Sequence, residues 1–296
     1  MPDTPELLVV GSVALDTRDG PFGKIKGELG GSAVYFALAA SLIMPVKVVA
    51  PVGRDGVDKV SRAFAERPID STQLAVLDAP TYRWLAHQDH GRNVEIGSAD
   101  TIYDHWDPAV PPDFSGWAFV GSMRPDKQAR VMRLLHFASL LSADAMLSYV
   151  QRQTPEAKDV LGRAAWFFCN EQEFAALGGN DPEQFRRQWW LDGLVLKKGP
   201  QGVDAHTADG LLHVPALPGH PAFDTTGAGD AVAGGMLARW LSTGAQRSGL
   251  QDALVCGVAC ASLTIESIGI RGIASATPAL LEERMAEVWE WMKRES

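Results

Sequence analysis

Short apolar runs, unbroken by polar residues, recur along the chain and alternate with stretches of helical character. Leu7–Val10 is wholly apolar and ends at Gly11, which is how a strand buried on both faces reads. Gly30-Gly31 then opens a segment of small and apolar residues, 32–43, that predicts a helix stopped by Pro45. Residues 47–51 read as a second buried strand and residues 58–66 as the helix after it. Strand, helix, strand, helix is the pattern of a parallel sheet covered on both faces. From Trp117 the alternation resumes, with strands expected at 118–120, 143–147, 166–169, 194–197 and 213–215. Helices are expected near 127–141 and, briefly, after 147; the last hundred residues read as mostly helical. No internal repeat or low-complexity tract stands out.

Two stretches depart from this rhythm. Residues 16–29 are polar and glycine-rich, lying between the first strand and the first helix. Residues 81–96 alternate aromatic and polar positions, Tyr82 and Trp84 among them, and His90-Gly91-Arg92-Asn93 supplies a turn. That pattern predicts a two-sided antiparallel hairpin, not a parallel core strand. Both are read as pieces of a small β lid, formed by insertions at about 16–29 and 81–106 of a single domain covering residues 1–296. Trp84, Tyr103, Trp106 and Trp117 suit packing between lid and core better than stacking on a ligand ring.

Composition narrows the function classes. The chain has 296 residues, enough to bury a large core, and 27 basic against 36 acidic residues leave a net charge of −9. That balance argues against a nucleic-acid or membrane surface, so any positive potential for a phosphate must be local. Three cysteines, Cys169, Cys256 and Cys260, make no paired disulfide framework. Cys256 and Cys260, four apart in an apolar stretch, read as small buried hydrophobes and not as a metal pair. Nothing resembles a signal peptide, and the apolar residues 7–15 are too short to span a bilayer, so a cytoplasmic location is expected.

The chemistry concentrates in Asp224-Thr225-Thr226-Gly227-Ala228-Gly229-Asp230 and the small-residue run that follows. Glycines at 227 and 229 free the backbone to turn tightly against a ligand. The helix expected after them would direct free amides and its positive dipole end at an anion. Asp230, placed at the same spot, would repel that anion unless it takes a proton from a hydroxyl about to accept a phosphoryl group.

The whole run, with the A-x-x-G-G after it, resembles the C-terminal motif of the PfkB, or ribokinase-like, family of carbohydrate kinases. Further matching segments occur in the expected order along essentially the entire chain. The resemblance implies a ribokinase-like three-layer α/β/α fold with a mostly parallel central sheet and a small β lid. It implies an ATP-dependent transfer to an alcohol, with Gly227, Ala228 and Gly229 as the anion hole and Asp230 as general base. Gly30 and Gly31 are similar to the family's substrate-side glycine pair, and Asp16 matches a carboxylate that forks onto two substrate hydroxyls. Asn170 and Glu173 resemble the N-x-x-E motif that holds hydrated Mg²⁺, Glu173 acting through water. Lys198, Gly199 and Gly202 match the strand ending in G-x-x-G along which the nucleotide lies. Asp224 and Thr226 fall where relatives supply oxygens to K⁺, and a homodimer through the lid is implied.

Departures from the family pattern matter too. Tyr35 stands where relatives carry an asparagine that contacts a sugar hydroxyl, and the first helix ends Leu-Ile-Met-Pro in place of Leu-Gly. Arg124 would either bind an anionic substituent of the substrate or pair at the surface, and Asp144 is equally open. No GxxxxGK[ST] and no G-x-G-x-x-G after the first strand occur, which excludes a P-loop kinase and removes the support for a dinucleotide dehydrogenase. Three readings follow: a sugar or cyclic-polyol kinase, a nucleoside kinase with Tyr82 or Trp84 stacking the base, or a non-catalytic ligand-binding relative.

Overall fold

The computed structural model describes residues 6–20, 23–89 and 92–295. After β1 (Leu7–Val10), the antiparallel strands β2 (Ala14–Gly20) and β3 (Gly23–Gly30) leave the main sheet, and α1 (Ser32–Ala40) returns to it. Next come β4 (Val46–Gly53), α2 (Val57–Phe64) and β5 (Ile69–Leu77), then a second antiparallel pair, β6 (Arg83–Asp89) and β7 (Arg92–Ala99). The chain re-enters the sheet at β8 (Trp117–Val120), followed by α3 (Pro125–Leu134), β9 (Leu140–Asp144), α4 (Leu147–Arg152) and α5 (Thr154–Leu161). Then follow β10 (Trp166–Asn170), α6 (Glu171–Ala176), α7 (Pro182–Gln188) and β11 (Gly193–Lys197). A meander of β12 (Val203–Thr207) and β13 (Gly210–Val214) precedes the helices α8 (Ala228–Ser242), α9 (Leu250–Ile265), α10 (Arg271–Ser275) and α11 (Pro278–Glu295).

The main sheet has nine strands in the order β13-β12-β11-β10-β9-β8-β1-β4-β5, parallel throughout except for the antiparallel β11-β12-β13 edge. The chain builds outward from β1 through β4 and β5 on one side and from β8 through β11 on the other. The reversal between β1 and β8 makes a topological switch point, and open sheets of this kind bind ligands beyond the carboxyl ends of the strands at such points. Apolar runs without alternation are explained by burial on both sides. Leu7 and Val9 join the core under α1, α8, α9 and α11, while Leu8 and Val10 join the core under α3 to α7. The window 247–265, containing α9, is apolar and long enough to cross a membrane, but 67% of it is buried within the fold, as expected of a core helix.

The lid is a separate four-stranded sheet, β3-β2-β6-β7, with β2 and β6 parallel and the outer pairs antiparallel. The expected hairpin is therefore present as β6 and β7, although His90 and Gly91 of its turn lie outside the described residues. Two boundaries differ from the pattern-based expectation. The helix expected over 127–141 stops at Leu134, and the strand expected at 143–147 begins at Leu140, in register with Trp117. The mostly apolar stretch there, interrupted by His136 and Ser139, follows neither a helical nor a strand period cleanly. β5 and β12 were not anticipated: β5 is a half-exposed edge strand rich in polar residues, and β12 is five residues long.

The small residues after Asp230 have a packing role. A Cβ on Gly234 would crowd the Phe36 carbonyl of α1, and one on Gly235 would press on Cys260 Sγ of α9. These glycines let α8 lie close to both neighbours. The three cysteines are buried and unbridged.

Candidate active site

Asp144, Asn170 and Lys197 end β9, β10 and β11 on one edge of the sheet, with Asn170 and Lys197 paired in register. The start of α8 is brought to the same edge. Gly227, at φ 77°, caps it in the left-handed region, and a Cβ there would overlap the Tyr35 ring. Glycine is thus required twice, by backbone conformation and by close approach. The helix that follows is 15 residues long, so its positive dipole end lies at this edge, where the Ala228 amide donates to the Thr225 carbonyl at 3.3 Å.

Lys197 stands against this turn: a Cβ on Gly229 would lie 3.0 Å from its Nζ. The same ammonium donates to Asp144 Oδ1 at 3.0 Å and Oδ2 at 2.8 Å. Burial opposes its charge, but Asp144 and Glu173 outweigh that and hold Lys197 protonated above the usual lysine range. Asp230, half-buried in the first turn of α8, has its carboxyl pushed up to about 8. Desolvation is the main cause and the Asp144 charge adds to it, while Lys197 works the other way. A carboxyl whose proton affinity is raised this far is, once ionised, a stronger base toward an alcohol than an ordinary aspartate.

Asn170 and Glu173 meet in a capping box. Asn170 Oδ1 accepts the Gln172 and Glu173 amides, each at 2.9 Å, and Glu173 Oε2 accepts the Asn170 amide at 2.7 Å. Glu173 is buried, which pushes its carboxyl up to about 7 against the pull of Lys197. Its charge adds to that of Asp144 and Asp230 at this edge.

On the lid side, Asp16 of β2 lies against the glycine pair. A Cβ on Gly30 would overlap the Asp16 carboxylate, and one on Gly31, at φ 103°, would overlap the Ser12 carbonyl. Burial pushes Asp16 up to about 7, with Arg18 opposing. Tyr35, rooted in α1, is 1% exposed, and its hydroxyl finds no partner among the described residues. Burial and the neighbouring carboxylates of Asp16, Asp224 and Asp230 keep that phenol protonated. It is a neutral donor rooted beside the turn at Gly227, where an added Cβ would meet its ring.

Several expected site residues are engaged elsewhere. Lys198 reaches Asp204 at 3.1 Å on the opposite face of β11 from Lys197, so the cation at the turn is Lys197. Gly202 is demanded by packing, since a Cβ there would strike the Val214 carbonyl, whereas Gly199, at φ 56°, faces open space. Arg124 takes the surface-pair alternative: its Nε donates to Asp126 at 2.7 Å and its Nη1 to Asp104 at 2.6 Å. The oxygens proposed for K⁺ are committed as well, Asp224 to the Arg18 guanidinium and Thr226 Oγ1 to Asn93 Nδ2 at 2.7 Å. Lys197 and Arg18 escaped the sequence reading. Leu194, Val195 and Leu196 are buried on both faces and give no clue to which lysine turns inward, and Arg18 sits in a polar strand that reads as solvated.

A helix start beside a protonated lysine suits a phosphate, and a carboxylate held near neutrality suits an alcohol proton; a kinase acting on hydroxyls needs both. Residues 23–276 match the model of the pfkB family carbohydrate kinases, and the chain belongs to that family. It is 29% identical over 270 residues to an ATP-dependent ribose-1-phosphate kinase of Halopiger xanaduensis, covering 86% of this chain and 87% of the relative. It is 26% identical to a cytidine kinase of Thermococcus kodakarensis, over 79% of this chain and 87% of that one. The nucleoside kinase of Burkholderia thailandensis, solved with inosine, superposes with a TM-score of 0.80 at 18% identity, covering 96% and 99% of the two chains. The three-layer ribokinase-like fold and the kinase activity stand on these likenesses together with the family match.

Proposed function

We propose that the chain uses ATP to phosphorylate a hydroxyl of a neutral sugar or cyclic polyol. The observation that carries this reading is the Asp230 carboxyl, pushed up to about 8 one turn inside the amide-lined start of α8. Asp230 takes the hydroxyl proton as the substrate oxygen bonds to the γ-phosphorus. The bond from that phosphorus to the bridging oxygen breaks and ADP leaves. The Gly227 and Gly229 amides and Lys197 would meet the charge that develops on the transferring group, while the Ala228 amide donates to the Thr225 carbonyl. Mg²⁺ would neutralise the nucleotide phosphates. Among the described residues no cluster of three or more His, Cys, Asp or Glu side chains forms a metal cage. Glu173 would hold such an ion through water.

A neutral acceptor is supported by two arginines: Arg18 and Arg124 each already hold a carboxylate, so neither is free for an anionic substituent. Asp16 and Tyr35 instead offer an acceptor and a donor suited to hydroxyls. A nucleoside is the second reading, prompted by the cytidine and nucleoside kinases among the relatives. Tyr82 is packed against Tyr103, with centroids 6.0 Å apart, which leaves half-buried Trp84 as the lid aromatic for a base. The outer lid face exposes Leu85, Val94 and Ile96, at 36%, 51% and 66%, which supports pairing with a second copy.

A panel of sugars, cyclic polyols and nucleosides, read by ADP release, separates the two acceptor classes. With the accepted substrate, Asp230→Asn should lower kcat by about 10²–10⁴ while nucleotide affinity stays within threefold. A variant that keeps a tenth of the parent rate overturns the base assignment.

A further inference from the structure

Arg18 is among the largest fully buried side chains of the protein, and its charge ends beneath the phosphate turn. Its Nη1 donates to Asp224 Oδ2, which also accepts the Gly269 amide at 2.7 Å. The other Asp224 oxygen accepts the Thr226 amide at 3.1 Å, one residue before the glycine that caps α8. Asp224 thus braces the turn from below, and its countercharge is a covalent part of the chain. Guanidinium Nε and Nη2 find no partner among the described residues, so the group is held there at a desolvation cost that only a structural or electrostatic role would offset.

The monovalent cation that the family resemblance would place at Asp224 and Thr226 does not fit this arrangement. A K⁺ on Asp224 would stand beside a guanidinium in a site closed to water, and the Thr226 hydroxyl is turned toward Asn93 of β7. We propose that Arg18 is a built-in cation, replacing a dissociable monovalent ion under the phosphate turn and making the protein indifferent to K⁺. Arginine suits this role because it cannot lose its charge and spreads it over a planar group with several donors. It differs from an ion in being delivered by the lid strand β2, so one side chain joins lid, turn and the segment around Gly269.

This inference rests on the reading of residues 227–229 as the phosphate turn, and its test separates the two. The intact protein is compared in KCl, NaCl and tetramethylammonium chloride at equal ionic strength. Melting temperature and the affinity for a non-hydrolysable ATP analogue are read without turnover. Both should agree within experimental scatter across the three salts; tenfold tighter nucleotide binding in KCl alone overturns the proposal. Failure of the analogue to bind in any salt would instead sink the phosphate-turn reading, and the built-in cation with it. Arg18→Met uncovers Asp224 and should bind the analogue at least tenfold more weakly in tetramethylammonium, with recovery in KCl. Full affinity of that variant in tetramethylammonium also overturns the proposal. Should Arg18→Met not fold, Arg18→Lys keeps the charge and should remain insensitive to K⁺; a K⁺ response in it counts against the idea.

Discussion

Replacing Lys197 by Met keeps most of the aliphatic volume and removes the ammonium between Asp144 and the turn at Gly229. The Lys197 and Asp144 side chains are 15% and 3% exposed, so the pair is broken inside the protein. Removing one partner of a buried pair costs about 3–5 kcal/mol, because the other charge is left uncompensated. With roughly 2–4 °C of melting temperature per kcal/mol for a chain of this order of size, the loss is on the order of 10 °C at pH 8. Acidification should shrink it, since a proton on Asp144 relieves the orphaned charge. The catalytic loss is separate. One preorganised donor aimed at developing charge is worth about 10²–10³ in kcat. Lys197 also holds the Asp230 carboxyl down, so the acidic limb of the pH–rate profile should move to higher pH in the variant. Urea unfolding at pH 6 and 8 and steady-state rates from pH 6 to 10 measure these effects. The double variant Lys197→Met/Asp144→Asn should recover stability without recovering rate. If the double variant regains parental turnover, Lys197 does no more than neutralise Asp144. A single variant within threefold of the parental rate, with an unmoved limb, refutes the argument outright.

Further predictions concern the same groups and the lid. The carboxyls of Asp16 and Glu173, raised to about 7, and Asp230, raised to about 8, bind protons more tightly in the folded chain than in the unfolded one. Their stabilising contribution is complete below the unfolded carboxyl range near pH 4 and disappears as pH rises through 7 to 8, at up to about 1.4 kcal/mol per group per pH unit. The ligand-free protein should therefore melt higher at pH 6 than at pH 8.5; a flat or rising curve contradicts the burial of these groups. Gly227→Ala places a methyl into the Tyr35 ring at a φ of 77°. It should cost about 2–4 kcal/mol and weaken nucleotide binding, and a parental urea midpoint would show that the turn relaxes freely. Ile96→Glu puts a charge on the outer lid face and should shift sedimentation toward the monomer; an unchanged mass, or a monomeric parent, removes the lid from assembly.

Legibility in the sequence followed the range of the interaction. The turn at residues 224–230 could be read because its parts are adjacent: glycines fix the backbone, a helix begins, and an acid follows within one turn. The doubly covered parallel sheet was equally local, since each buried strand carries its own apolar run. Boundaries failed where a run was mostly apolar without a clean period, as at residues 134–141, or where a strand was short or half-exposed, as with β12 and β5. The N-x-x-E pair marked a real feature, but the same four residues make a capping box, so spacing alone could not separate a helix start from a metal subsite. The charges beside the turn at residues 224–230 were hidden for a different reason. Lys197 meets Asp144 across 53 positions, and Arg18 meets Asp224 across 206. No window along the chain contains either pair. Each cation derives its meaning from the fold, which buries it against one particular carboxylate. A glycine turn and the helix start behind it therefore declare themselves in sequence, whereas the side chains that set the potential around them do so only once the sheet and lid have closed the distance.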